Sequence, residues 1–189
     1  AASDVYKRQV RWCALILMTG PFAVVAEEKE TADWWNSEWT VRKRIVGNAG
    51  PKGAAVTESI GTVPLLMRLH DGNFQFALAR EDGSDVRFVA SDGKKELPFH
   101  LEKLDGLMGE AFVWVRLPEM KPGEATTLWM YYGNAKAGKV EDAKATYDVD
   151  TVGVYHFAHR NALTQDSSIA GNNAEGAGVV NLLQGSIVG

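Results

Sequence analysis

The densest group of residues that could contact a ligand is Trp34, Trp35 and Trp39, which places three of the six tryptophans within six positions. Indole rings can stack on sugar rings, and they can also fill the interior of a β-domain, where each buries a large apolar area. Because neighbouring residues of a strand point to opposite faces, Trp34 and Trp35 cannot share one platform if both are extended. The sequence therefore favours packing of these indoles, with sugar contact as the alternative.

The histidines show no pattern typical of a metal site. His70, His100, His156 and His159 are dispersed along the chain, without the spacing that zinc sites use. His156 and His159 are three apart on a predicted strand and its exit, so we expect their side chains to diverge. The sequence predicts ordinary histidines on polar faces, no metal and no cofactor.

Carboxylates are concentrated at Glu81, Asp82 and Asp85. A pair of carboxylates held about 5–10 Å apart in a cleft can hydrolyse a glycosidic bond. Oxygen ligands in sandwich loops can also bind calcium, for which Asp166 is a further candidate. A turn containing Gly and Ser between two strands explains the same residues without any chemistry. Since no other catalytic pattern is present, we expect no catalytic residue and a protein that is not an enzyme.

The charge and cysteine counts exclude further functions. The net charge is −4, and the one basic run, 42–44, would alternate between the faces of a strand. A broad basic surface for nucleic acid is therefore not expected. The single cysteine, Cys13, lies in an apolar leader, so neither an internal disulfide nor a catalytic cysteine is expected in the mature protein.

The leader predicts the cellular compartment. Residues 1–26 have the parts of a secretory signal peptide: Arg11, the apolar run 12–18, a break at Gly20-Pro21, and small residues at Val24 and Ala26. Residues 1–9 resemble a translated sequencing adaptor and are interpreted as an artefact. We therefore expect cleavage after Ala26 and an exported, periplasmic protein, with an N-terminal membrane anchor or a buried helix as the alternative for this segment.

The remainder reads as β-structure. Short apolar segments are separated by turn residues, and they predict strands at 39–46, 64–70, 85–90, 97–104, 111–117 and 125–132. Such spacing is typical of an all-β protein with an antiparallel β-sandwich, preceded by a lead-in at 27–38 and spanning 39–134. Helical periodicity is weak, with one short helix expected within 74–80.

Alternation predicts which strand faces are buried. In 97–103 the polar residues His100 and Glu102 alternate with apolar ones, which indicates one solvated face and one dry face. Both faces are apolar in 111–117 and 128–132, as expected of central strands or of strands covered by a loop.

The segment 135–150 has few strand formers and is interpreted as a linker. A new strand is predicted at 151–159, followed by a glycine-rich end. We interpret 151–189 as the first strand or strands of a second, incomplete jelly-roll domain, because this segment is too short to build its own core.

Two resemblances add a context. Trp34-Trp35-Asn36, Glu81-Asp82-Gly83-Ser84-Asp85 and Tyr131-Tyr132-Gly133-Asn134 lie in a stretch, 34–150, that resembles a bacterial domain of unknown function. That domain is common in the exported N-terminal region of ExbB/TolQ/MotA-type proton-channel proteins. Val154-Tyr155-His156-Phe157, Asp166-Ser167-Ser168 and Gly171-Asn172-Asn173-Ala174 look like the start of a laminin-G or concanavalin-A-like jelly roll.

These resemblances imply a function without chemistry. The expected role is that of a non-enzymatic, exported accessory or interaction domain of a proton-driven biopolymer transport protein. Its implied partner is an inner-membrane energy-transduction complex, and the parent would be anchored by regions outside this chain. A carbohydrate-binding module that contacts a cell-envelope glycan is the alternative.

Overall fold

A computed structural model describes residues 22–25, 34–156 and 164–175. Its strands are β1 (Phe22–Val25), β2 (Val41–Asn48), β3 (Val63–His70), β4 (Arg87–Ala90), β5 (Phe99–Asp105), β6 (Glu110–Leu117) and β7 (Ala125–Tyr132). Within these ranges, one 3₁₀ turn, Phe76–Leu78, and one helix, α1 (Ala143–Thr146), complete the regular elements.

The strands form two antiparallel sheets. The order is β1-β2-β7-β4 in the first sheet and β3-β6-β5 in the second. The predicted antiparallel sandwich is confirmed, and each of its six predicted strands is present with ends within two residues. Strand β1 was not predicted, and it lies inside the expected leader. The expected helix within 74–80 is only the 3₁₀ turn.

The core lies between the sheets and follows the alternation of the strands. Phe88, Phe99, Leu128 and Met130 are buried in it with Tyr132. Strands β6 and β7, apolar on both faces, are the inner strands of their sheets, as predicted. No helix within the described ranges has the length and apolar character needed to cross a bilayer.

The outer faces of the sheets differ from the prediction. The polar face of β5 was expected to be solvated, but Glu102 on that face is buried beneath the segment that follows β7. This segment includes α1, and Tyr147 beyond it is buried as well. Period-2 alternation shows which residues share a face, and it does not show whether another part of the chain covers that face.

Two other predictions concern the ends of the chain. The strand expected at 151–159 is wrong for 151–156, which have no regular secondary structure. Four parts of the prediction lie outside the described residues: most of the leader, the lead-in up to Asp33, residues 157–159 and the glycine-rich end.

Candidate functional site

The first candidate site is the tryptophan face, which we define as Trp34, Trp35, Trp39, Trp129 and Tyr131 on the outer side of the first sheet. Trp39 is buried, and its indole N–H donates to the backbone oxygen of Asp85 at 2.6 Å. These rings form a cluster separate from the core between the sheets. The indoles therefore pack on the outer face of a sheet and not in the interior between the sheets, where we expected them.

Trp34 and Trp35 both lie against Tyr131. Each ring centroid is 5.6 Å from that of Tyr131, and Trp35 is also 5.0 Å from Trp39. The prediction that Trp34 and Trp35 point to opposite sides assumed a strand, but the chain bends at Trp35. Both indoles can therefore reach the same side of the sheet.

The basic run divides between the two faces of β2. The Arg42 guanidinium lies 4.2 Å from the ring centroid of Trp129 and 5.0 Å from that of Trp34, within the range of cation–π contacts. The Lys43 ammonium donates to the backbone oxygen of Asn73 at 2.6 Å, and burial lowers its pKa. The alternation predicted for this run is confirmed.

Asp85 joins two sequence motifs that are far apart in the chain. Its buried carboxylate accepts hydrogen bonds from the backbone N–H of Gly133 at 2.7 Å, of Asn134 at 3.2 Å and of Arg80 at 3.0 Å. At Gly133, φ is +87°, and an added Cβ would collide with the Thr40 hydroxyl. The Gly-Ser-Asp and Tyr-Tyr-Gly-Asn sequences are therefore held together through the Asp85 carboxylate. We call this set of hydrogen bonds the Asp85 lock.

Two of the other candidate carboxylates, Asp82 and Asp166, also accept hydrogen bonds from nearby backbone N–H groups. Glu81 is exposed, and hydrogen bonds from Ser84 lower the pKa of Asp82 to about 2. Asp166 is buried and accepts from the backbone N–H groups of Val154, Ser168 and Asn172. Burial alone would raise the pKa of Asp166, but these hydrogen bonds outweigh it and lower the pKa. Among the described residues, no group of three His, Cys, Asp or Glu is placed to hold a metal ion.

The second candidate site is the histidine cluster, which we define as His100, Glu102, Trp114, Tyr147 and His156 on the outer side of the second sheet. Glu102 Oε2 accepts from the Trp114 indole N–H at 2.6 Å and lies 3.0 Å from His156 Nδ1. The Tyr147 hydroxyl is 3.3 Å from His156 Nε2 and 3.5 Å from His100 Nδ1. One polar chain thus connects β5 and β6 to the segment after β7.

A bulge in β5 positions the carboxylate of this cluster. The pairing of β5 with β6 shifts between Leu101 and Lys103, so Glu102 is the extra residue. Bulges of this kind redirect a side chain from the regular alternation. The Glu102 side chain is 1% exposed. Burial alone would raise its pKa, but hydrogen bonds from His156 and Trp114 outweigh burial and hold the pKa below its ordinary value.

The order carboxylate, imidazole and hydroxyl is the one that activates nucleophiles in hydrolases. Here the hydroxyl belongs to Tyr147, which is buried, and burial raises its pKa far above the ordinary value. A phenol that is both inaccessible and harder to ionise is a poor nucleophile. The cluster is therefore suited to fastening the C-terminal segment onto the sheet.

The sequence prediction missed this cluster. It treated the histidines as dispersed, yet the ring centroids of His100 and His156 are 4.7 Å apart. His159 lies outside the described residues, and His70 caps a turn by accepting from the N–H of Gly72. A buried glutamate needs hydrogen-bond partners. The one sequence signal for this cluster was therefore a Glu on one predicted strand, β5, with a Trp on the next predicted strand, β6.

Comparison with known families identifies one region. Residues 82–168 match the family model of a domain of unknown function, DUF2341. The predicted resemblance to a domain of unknown function is confirmed for 82–150, and the match continues to residue 168, within the segment that we interpreted as the start of a second domain. The matched region runs from the Asp85 lock through β4–β7 and α1, and it includes every member of the histidine cluster. No curated protein and no solved structure matches the chain.

Proposed function

We propose that the protein is an exported, non-enzymatic interaction domain of a proton-driven biopolymer transport protein of the ExbB/TolQ/MotA type. Its partner would be the inner-membrane energy-transduction complex, which it would contact through its surface in the periplasm. The leader pattern supports the export, and the resemblance of 34–150 supports the context. The buried histidine cluster supports a structural use of the titratable groups.

One observation carries the proposal of an interaction domain: Leu107 is fully exposed, and Met108 is 76% exposed, at the tip of the β5–β6 hairpin. These two adjacent side chains form a contiguous exposed apolar tip, and contiguous exposed apolar surface is one mark of a partner-contact site. The tip is also held in place, because Asp105 Oδ1 accepts from the backbone N–H of Leu107 at 3.0 Å and of Met108 at 2.9 Å.

Ion pairs surround the base of this tip. Glu110 binds Arg68 at 2.8 Å and Lys103 at 3.4 Å, and all three side chains are partly exposed. An apolar centre with a polar rim is the usual anatomy of a protein interface. A pre-formed tip also costs less conformational entropy to dock than a flexible loop.

Site-specific photo-crosslinking in cells that export the full chain tests this proposal. A photoreactive side chain at position 107 should give adducts with inner-membrane proton-channel proteins. The matched control is position 94, because Lys94 is also exposed, at the turn after β4. Adducts from both positions, or from neither, would overturn the proposed contact.

Carbohydrate binding is the second candidate, and Trp34 favours it. This indole is 41% exposed, with the Arg42 guanidinium near its ring, so part of the ring is open to a ligand. Affinity electrophoresis in gels that contain cell-envelope glycans tests it. Retardation that is lost in Trp34→Ala and kept in Ile60→Ala, an equally exposed control, would support sugar binding. Migration without retardation would exclude it for these glycans.

A further inference from the structure

One edge strand of the first sheet, β1, belongs to the segment that the sequence predicts to be a cleaved signal peptide. Strand β1 pairs antiparallel with β2, and its register places Phe22 opposite Gly47 and Val25 opposite Arg44. Both ends of β1 lie within the predicted leader, which would be cut after Ala26. Removal of the leader would therefore leave the β2 edge without its strand.

The other edge strands of the two sheets are protected against strand addition by parts of the chain outside the leader. The edge of β4 pairs with the returning chain, because Leu97 N–H donates to the backbone oxygen of Phe88 at 2.8 Å. The edge of β5 is covered, because Asp142 N–H donates to the backbone oxygen of Phe99 at 3.0 Å. Strand β3 contains Pro64, which lacks an N–H and discourages strand addition.

We propose that the β2 edge is a strand acceptor that processing uncovers for an extended segment of a different protein. This inference rests on the leader cleavage that belongs to the proposed function. The incoming strand would run antiparallel to β2, as β1 does. It would carry apolar residues opposite Ile45 and Gly47, and carboxylates opposite Arg42 and Arg44.

The apolar positions follow from the burial of β2. Ile45 and Gly47 are both buried, and Ile45 belongs to the core between the sheets. Residues directly opposite each other on paired strands share a face. The strand beside Ile45 and Gly47 therefore extends the core, and the apolar sequence of β1, Phe22-Ala23-Val24-Val25, has the composition required.

The acidic positions follow from charge. Arg42 and Arg44 alternate with Ile45 and lie on the outer face, opposite Tyr131 and Trp129. Pairing β2 with a second copy of itself would bring two basic runs together, which like-charge repulsion disfavours. A strand that presents carboxylates to the arginines would gain affinity and specificity from the same charges.

The test uses the full chain with a protease recognition sequence inserted after Ala26, so that it does not depend on natural processing. The folded protein is cut, the leader is removed by gel filtration, and hydrogen exchange of the β2 amides is measured before and after. Cutting should speed exchange at alternate β2 amides, since every second N–H of a strand faces the same edge. Unchanged exchange would overturn the proposal.

Two peptides then test the chemistry of the occupant. The probe Phe-Ala-Val-Glu-Ala-Glu should restore protection to the cut protein, and Phe-Ala-Val-Lys-Ala-Lys should bind at least about tenfold more weakly. The variant Arg44→Glu should abolish this preference, because the carboxylate at position 44 opposes what Arg42 still favours. Protection restored by either peptide would show that the variant is folded. Equal binding of the two peptides, or a cut protein that dimerises in sedimentation, would overturn the acidic-partner assignment.

The outcomes separate this inference from the proposed function. An exported chain whose N-terminus is not Glu27 would contradict the predicted cleavage and leave the peptide result on the cut protein intact. Conversely, correct processing with no peptide binding would overturn the strand acceptor alone.

Discussion

The tryptophan face and the histidine cluster perform the same structural task with different chemistry. Each covers the outer face of one sheet with a segment from outside that sheet: the lead-in before β2 on one side, and the chain after β7 on the other. The first cover consists of indoles and one guanidinium. The second depends on a buried carboxylate, two imidazoles and a phenol.

This difference predicts different responses to pH. Aromatic packing and an arginine, which stays protonated throughout the ordinary pH range, do not change with proton concentration. The protonation of a carboxylate and of imidazoles does change with pH. The second cover should therefore loosen at pH values at which the first stays in place. The outer faces of one sandwich can thus be fastened independently, and the predictions below test that separation.

The largest effect is expected at Asp85, beneath the tryptophan face. Asp85→Ala leaves three backbone N–H groups without their acceptor, and we expect a loss of about 3–5 kcal/mol in the free energy of unfolding. Urea unfolding followed by tryptophan fluorescence measures it. Asp82→Asn is the control, because that side chain is exposed and should stay within about 0.5 kcal/mol of the parent. Equal losses in both variants would contradict the lock.

The next effect is expected in the histidine cluster. Glu102→Gln keeps an acceptor for Trp114 and removes the charge that faces His156, so we expect a loss of about 1–3 kcal/mol. Hydrogen exchange should rise at 147–156 and remain unchanged at 34–39. Faster exchange in both segments would show that the two covers are coupled.

A smaller effect is expected at Trp39. Trp39→Phe removes the hydrogen bond to the Asp85 backbone oxygen and part of the ring volume, which should cost about 1–2 kcal/mol. Because no titratable group is lost, the variant should keep the pH dependence of the parent. A changed pH profile in thermal unfolding would contradict the separation of the two faces.

The smallest effect is expected from the pH dependence of one histidine. Burial lowers the pKa of His100 from 6.5, and the positive charges of His156 and Lys139 lower it further. The carboxylates of Glu141 and Glu102 oppose this shift without reversing it. The unfolded chain therefore takes up a proton more readily, so stability present above about pH 6.5 should fall as the pH drops below that value.

The variant His100→Phe isolates this contribution. It should flatten the pH profile of thermal unfolding below pH 6.5, because the group that gains a proton on unfolding is gone. A slope at pH 5–6.5 that persists in His100→Phe would assign the effect to another group.

The pKa of the Tyr147 phenol shifts the other way. Because burial raises this pKa, the phenol should reduce the free energy of unfolding only above about pH 10.

The strands were predictable because their signals are local. Alternation, turn residues and strand length placed six of the seven described strands and identified β6 and β7 as inner strands. The alternation of Arg42 and Lys43 was correct for the same reason. These features depend on the two-residue period of an extended chain, which needs no knowledge of distant contacts.

The sites were less predictable because they depend on distant residues. His100 and His156 meet only because the chain after β7 folds back over β5, and the bulge at Glu102 is not visible in the composition. Trp34 and Trp35 share a side because the chain bends at Trp35, which their spacing did not reveal. Strand β1 was missed because its residues also fit a signal peptide.

The amino-acid sequence by itself determined the fold class, the strands and the faces that point into the core, because apolar periodicity acts within each strand. Only the tertiary structure decided which outer faces are covered and how. Covering a face brings together residues that are distant in the chain, and their burial and hydrogen bonds then set the pKa values that distinguish the two sides.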